Sequence, residues 1–187
     1  MLLTTAKSQA VMQTKEWKEL ITNLQNENWQ VANELSLSML NKITKDGPPD
    51  DVASALLRYM NIRSEAGLMT LEEVSKAEAI KKVVGFTGQM IILPSHPISL
   101  KRDFNSIRLV HGKSDSLSIT ASNKNATVIF SFEYIILDKP WPVDDFKNNA
   151  GNKYRLGGII RSITVEGSDI FPSFRIILEH GMAEMEK

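Results

Sequence analysis

Thr127-Val128-Ile129-Phe130-Ser131-Phe132-Glu133-Tyr134 is the stretch on which the fold turns. The run is rich in β-branched and aromatic residues and alternates in character with a period of two, the signature of a half-buried β-strand. Val128, Phe130, Phe132 and Tyr134 then share one face, which the alternation assigns to the core. Ile129, Ser131 and Glu133 share the other, which it assigns to solvent.

Working outward, further strands are expected on both sides. Val83 to Leu93 carries β-formers with Gly85 and Gly88 to permit sharp coiling, and Pro94-Ser95-His96-Pro97 breaks it. A polar loop to Asp103 leads into a second strand from Phe104 to Val110. Gly112 to Asp115 makes a turn, and Ser116 to Ala121 continues the meander. Downstream, Pro140 to Lys147 reads as a short helix with Asp144 and Asp145 in its first turn, and Trp141 packs beside it. Tyr154 to Val165 and Ser173 to Met182 are the last two strands, separated by the loop Glu166 to Pro172.

The region 81–187 resembles the OB-fold group described as tRNA-anticodon-binding-like. The residues that carry the resemblance are Gly88-Gln89-Met90-Ile91-Ile92, Val128-Ile129-Phe130-Ser131-Phe132, Leu156-Gly157-Gly158-Ile159-Ile160-Arg161 and Phe174-Arg175-Ile176-Ile177-Leu178. They follow that group's order of Gly-initiated first strand, meander, connecting helix, Gly-containing fourth strand and final hydrophobic strand. The resemblance implies a small Greek-key barrel of five to six strands that holds a partner through its loops and one strand face.

The region 1–80 reads as helical. Trp17, Leu20, Ile21 and Leu24 fall at helical spacing, and Trp29, Ala32, Leu35, Met39, Leu40 and Ile43 resume it after an Asn-rich break. The second helix is expected to end before Asp46-Gly47-Pro48-Pro49, and a third to start at Asp50 or Asp51 and stop at Gly67. Thr70-Leu71-Glu72-Glu73 has capping-box spacing, which predicts a fourth helix from Leu71 to about Val83. No second copy of a helical pair follows at a fixed period, so these helices form a bundle of about four. The expected class is α+β: a helical region, then an OB-like β-barrel.

Composition narrows the chemistry. With no cysteine among 187 residues, disulfide scaffolds, thiolate zinc sites and cysteine nucleophiles are excluded, which fits a reducing compartment. No apolar run has the length of a signal peptide or a membrane span, so the expectation is a soluble, cytoplasmic protein with no membrane partner. His96, His111 and His180 lie in separate segments without metal-ligand spacing and are expected on the surface or in loops. No phosphate loop, nucleophile elbow or zinc-binding helix motif occurs, and Asp144-Asp145 is a helix cap. The sequence therefore predicts a protein that is not an enzyme and takes no cofactor.

Two kinds of partner remain: single-stranded nucleic acid, or another protein. Residues 81–187 carry 14 Lys and Arg against 11 Asp and Glu, a net +3, while residues 1–80 carry 8 against 11, a net −3. Basic and aromatic candidates for nucleic-acid contact are Lys101, Arg102, Phe104, Arg108, Lys113, Tyr154, Arg155 and Arg161. With the rings of the Thr127–Tyr134 strand turned inward, the outer face is expected to lack a stacking platform. Ile170 and Phe171 are the candidates for a protein contact, and oligomeric scaffolding is the remaining alternative.

Overall fold

The computed structural model describes residues 6–45 and 52–186. Among them, helices α1 (Ala6–Met12), α2 (Lys15–Gln25), α3 (Trp29–Lys45), α4 (Val52–Thr70) and α5 (Lys76–Val83) precede the sheet. The strands are β1 (Met90–Pro97), β2 (Arg108–Leu109), β3 (Ser116–Ser122), β4 (Ile129–Leu137), β5 (Lys153–Glu166) and β6 (Ser173–Met185), with α6 (Val143–Asn148) between β4 and β5. The chain is α+β, a helical part followed by one curled six-stranded sheet. No helix among the described residues is long and apolar enough to cross a membrane.

Strand order is β1-β5-β6-β4-β3-β2, antiparallel throughout except for the parallel pair β4–β6. The two edges meet just beyond β1, where Ile98 bridges Ile107. There the Ile107 amide donates to the Pro97 carbonyl at 2.8 Å and the Ser99 amide to the Ile107 carbonyl at 3.0 Å.

Several boundaries differ from the expected ones for local reasons. Gly67 does not stop α4, which runs to Thr70. A Cβ on Gly67 would lie 2.3 Å from the Trp29 ring, so this glycine serves close packing of α3 on α4. Thr70 therefore stays helical, its hydroxyl bonded back to the Ala66 carbonyl at 2.8 Å, and cannot cap a new helix. The capping box forms instead at Ser75 and Glu78, the next place with the same spacing, and opens α5. The expected boundaries at Asp46 to Asp51 lie outside the described residues.

β1 neither starts at Val83, which closes α5, nor breaks at Pro94. Pro94 sits in a bulge between Ile92 and Ser95, where the ladder asks for no amide hydrogen. The strand expected over 104–110 shrinks to two residues, because Asn105 takes a left-handed conformation at φ 53° and Ser106 turns in on the Asp103 carbonyl.

Helices and sheet bury their apolar residues together. Trp29, Tyr59, Ile62, Leu68 and Val83 pack in one cluster with Ile91, Phe130, Ile135, Leu156, Phe174 and Leu178. α4 lies at the centre of this arrangement and is buried on almost every side, so even Arg58, Asn61 and Glu65 are enclosed. Those polar groups are engaged: Arg58 donates to the Met90 carbonyl at 2.8 Å, and Glu65 accepts from Asn33 at 2.8 Å and pairs with Lys82 at 2.9 Å.

Candidate binding face and the buried polar cluster

One extra residue in β4 decides which side chains the sheet presents. Ala121 of β3 stands opposite Ser131 and Ser122 opposite Ile129, leaving Phe130 unpaired in a bulge. Such a bulge moves every following side chain to the other face. Phe130 and Ser131 are both buried, and Glu133, Ile135 and Leu137 follow them inward, whereas Phe132, Tyr134 and Ile136 face out. The expected faces are thus inverted beyond Phe130: the rings at 132 and 134 lie outside and the carboxyl at 133 lies within.

The outer face is consequently both aromatic and basic. Across the strands, Arg108, Ser118, Tyr134 and Ile177 form one row, and Thr120, Phe132 and Arg175 the next. The Arg175 guanidinium sits 5.0 Å from the Tyr134 ring centroid and is held by Glu166 at 2.9 Å. Arg108 donates to the Thr120 hydroxyl at 3.0 Å. Beside Tyr134 runs an open groove of about 600 Å³ whose lining includes Arg102, Arg108, His111 and Lys147 and no carboxylate. Among the described residues, Lys147 is the one of these with an acidic partner, Asp144 at 3.5 Å.

Arg102 and Arg108 are therefore brought together, with Lys101, Phe104 and Lys113 exposed in the flanking loop segments. Tyr154, Arg155 and Arg161 lie on β5 and do not join them. Tyr154 packs edge-on against Trp141 at 4.8 Å, in a separate recess of about 500 Å³, and its hydroxyl bonds Asn149 at 2.9 Å. Arg155 stands opposite Glu184 of β6, and Arg161 is exposed at a β5 bulge. Ile170 and Phe171 protrude from the β5–β6 loop at 68% and 70% exposure, and Phe171 shares a recess with Phe132.

The inward face holds a cluster that sequence reading missed. The fully buried Glu133 accepts from the Ser131 hydroxyl at 2.6 Å and from the Tyr59 hydroxyl at 3.2 Å. Burial pushes the Glu133 carboxyl above the usual carboxylate range and the Tyr59 phenol far above its ordinary value. His96, expected on the surface or in a loop, lies in β1 with its ring largely enclosed, and desolvation pushes it down to about 4. His111 and His180 are exposed as expected, His180 lying 3.0 Å from Asp138. No group of His, Asp and Glu among the described residues is arranged to hold a metal ion.

No family model, curated protein or solved structure matches the chain.

Proposed function

We propose that this chain is a non-enzymatic binding protein whose sheet is an OB-like barrel, and that the barrel holds single-stranded nucleic acid on its outer face. The observation that carries the reading is the bulge at Phe130, which sets Phe132 and Tyr134 outside among Arg108 and Arg175. Rings that accept stacked bases beside cations that neutralise phosphates are the two elements single-strand binding requires. Arg102, Arg108 and Lys147 in the adjoining groove supply the track for the backbone. The OB-like reading draws support from the strand order, the parallel β4–β6 pair, the helix between β4 and β5, and the contact between the two edges. A cytoplasmic location accords with it.

Fluorescence anisotropy with short labelled single-stranded RNA and DNA at two salt concentrations tests the reading. Binding is expected to weaken steeply with salt, because neutralised phosphates release counterions. Tyr134→Ala removes one stacking platform and is expected to weaken binding about tenfold, in line with ~1–3 kcal/mol per stacked base. The double change Arg102→Glu and Arg108→Glu is expected to abolish the steep salt dependence. No binding at low salt would reject the proposal.

A second reading rests on Ile170 and Phe171. Two large apolar side chains exposed at one loop tip, next to the Phe132 recess, suit a protein partner. Salt-insensitive capture of a protein that is lost on Phe171→Asp would favour it.

A further inference from the structure

A further cavity, of about 430 Å³, lies where α2 and α4 meet the sheet. It shares no residue with the groove beside Tyr134. Its size falls within the roughly 300–1,000 Å³ typical of small-molecule sites. Ile21 and Leu24 of α2, Met60 of α4 and Pro94 of β1 give it an apolar wall. Its polar lining includes Arg63 of α4 and His96 of β1, together with Gln25, Tyr59, Asn105 and Ser122.

Arg63 is held in place by the groups around it. One of its nitrogens donates to the Ser122 carbonyl at 2.7 Å, and its guanidinium lies 5.3 Å from the Phe130 ring centroid. Among the described residues no carboxylate pairs with it within salt-bridge range. Glu133 accepts from the Tyr59 hydroxyl at 3.2 Å and lies outside salt-bridge range of Arg63. Guanidinium carries five N–H donors in a fixed fork, which suits an incoming carboxylate.

His96 defines the second contact. Its Nδ1 lies 2.9 Å from the Asn105 carbonyl oxygen, so this nitrogen carries the hydrogen and donates. Nε2 is then a bare acceptor, and it is buried with no partner. A buried acceptor left without a donor is costly, and a ligand hydroxyl in that position relieves the cost.

We propose that this cavity binds an apolar carboxylic acid with a hydroxyl beside its carboxylate: Arg63 takes the carboxylate, His96 Nε2 accepts from the hydroxyl, and the hydrocarbon lies on Ile21, Leu24, Met60 and Pro94. Lys124 and Glu27 stand at the same cavity, tied together by the Lys124 amide donating to the Glu27 carboxylate at 2.7 Å.

The test is a titration of the full chain, followed by amide chemical shifts, with 3-phenyllactate, with 3-phenylpropanoate, which lacks the hydroxyl, and with 3-phenylpropane-1,2-diol, which lacks the carboxylate. Phenyllactate is expected to bind with shifts centred on Tyr59–Arg63 and Pro94–His96, and phenylpropanoate about tenfold more weakly, the loss of one hydrogen bond to a buried acceptor. Arg63→Gln is expected to weaken phenyllactate at least tenfold and leave the diol unchanged. Ile21→Trp, at the partly exposed rim, fills the cavity and is expected to abolish all binding; it keeps the test decisive should Arg63→Gln fail to fold. No binding of phenyllactate at millimolar concentration, shifts centred elsewhere, or unchanged affinity in either folded variant would overturn the proposal.

Discussion

At the scale of single residues, the buried cluster imposes opposite pH slopes on stability. His96 stays unprotonated in the folded chain down to about 4, while in the unfolded chain it takes a proton near its ordinary 6.5. Between those values the unfolded state binds more protons, so stability contributed by His96 is full above about pH 6.5 and is lost as pH falls. The loss approaches about 3 kcal/mol for a shift of this size. Glu133 works the other way. Its folded carboxyl keeps its proton to higher pH than the unfolded one, so its contribution is full below the usual carboxylate range and is lost as pH rises. Urea midpoints measured from about pH 4 to pH 8 are expected to separate the two. His96→Gln removes the rising limb and leaves a profile that falls with pH, whereas Glu133→Gln leaves one that rises. Wild-type profiles in both variants would show that neither group titrates as its burial dictates.

At the scale of elements, the contact between α3 and α4 turns on a missing methyl group. Gly67→Ala gains about 1 kcal/mol of helix propensity but sets a Cβ 2.3–2.6 Å from three atoms of the Trp29 ring. The ring has little room to withdraw, being buried and packed edge-on against Phe130 at 4.8 Å. Overpacking of this kind costs about 1–3 kcal/mol, and a net loss of stability is expected by urea titration. Gly85→Ala, where a Cβ meets nothing within 4 Å, is the control and is expected to be neutral or stabilising. The same site explains what the sequence could and could not disclose. α2, α3, α6, β5 and β6 were legible because each has a clean pattern and turn or capping residues before it. Gly67 was misread because a glycine that stops a helix and one that admits a neighbouring ring look alike until the partner is known. β4 was misread because the alternation holds through Phe132 and Tyr134 even though the bulge at Phe130 exchanges the faces, and a bulge leaves no mark in the period. Arg63 and His96 were missed as a pair because only the packing of α4 on β1 brings them to one cavity.

At the scale of the whole molecule, the helical part and the sheet are joined by more than apolar contact. Arg58 reaches the Met90 carbonyl at 2.8 Å, Arg63 the Ser122 carbonyl at 2.7 Å and Lys76 the Gly167 carbonyl at 3.0 Å, while Tyr59 donates to Glu133 at 3.2 Å. Each bond satisfies a group that separation of the two parts would expose or strand. The apolar cluster crosses the same boundary, with Trp29, Tyr59 and Val83 packed among Ile91, Phe130 and Leu178. Losing the helices would uncover the part of the sheet's inner face on which Trp29, Tyr59 and Val83 pack. We therefore expect one cooperative unfolding transition. Trp141→Phe leaves Trp17 and Trp29 as the only tryptophans, so its fluorescence reports α2 and α3, while amide exchange in β4 and β6 reports the sheet. The two unfolding free energies are expected to agree within about 10–15%, the uncertainty of the denaturant extrapolation. Early loss of fluorescence with β4 and β6 still protected would mean that the sheet holds its fold without the helices, and the ties through Arg58, Tyr59 and Arg63 would then be local rather than global determinants of stability.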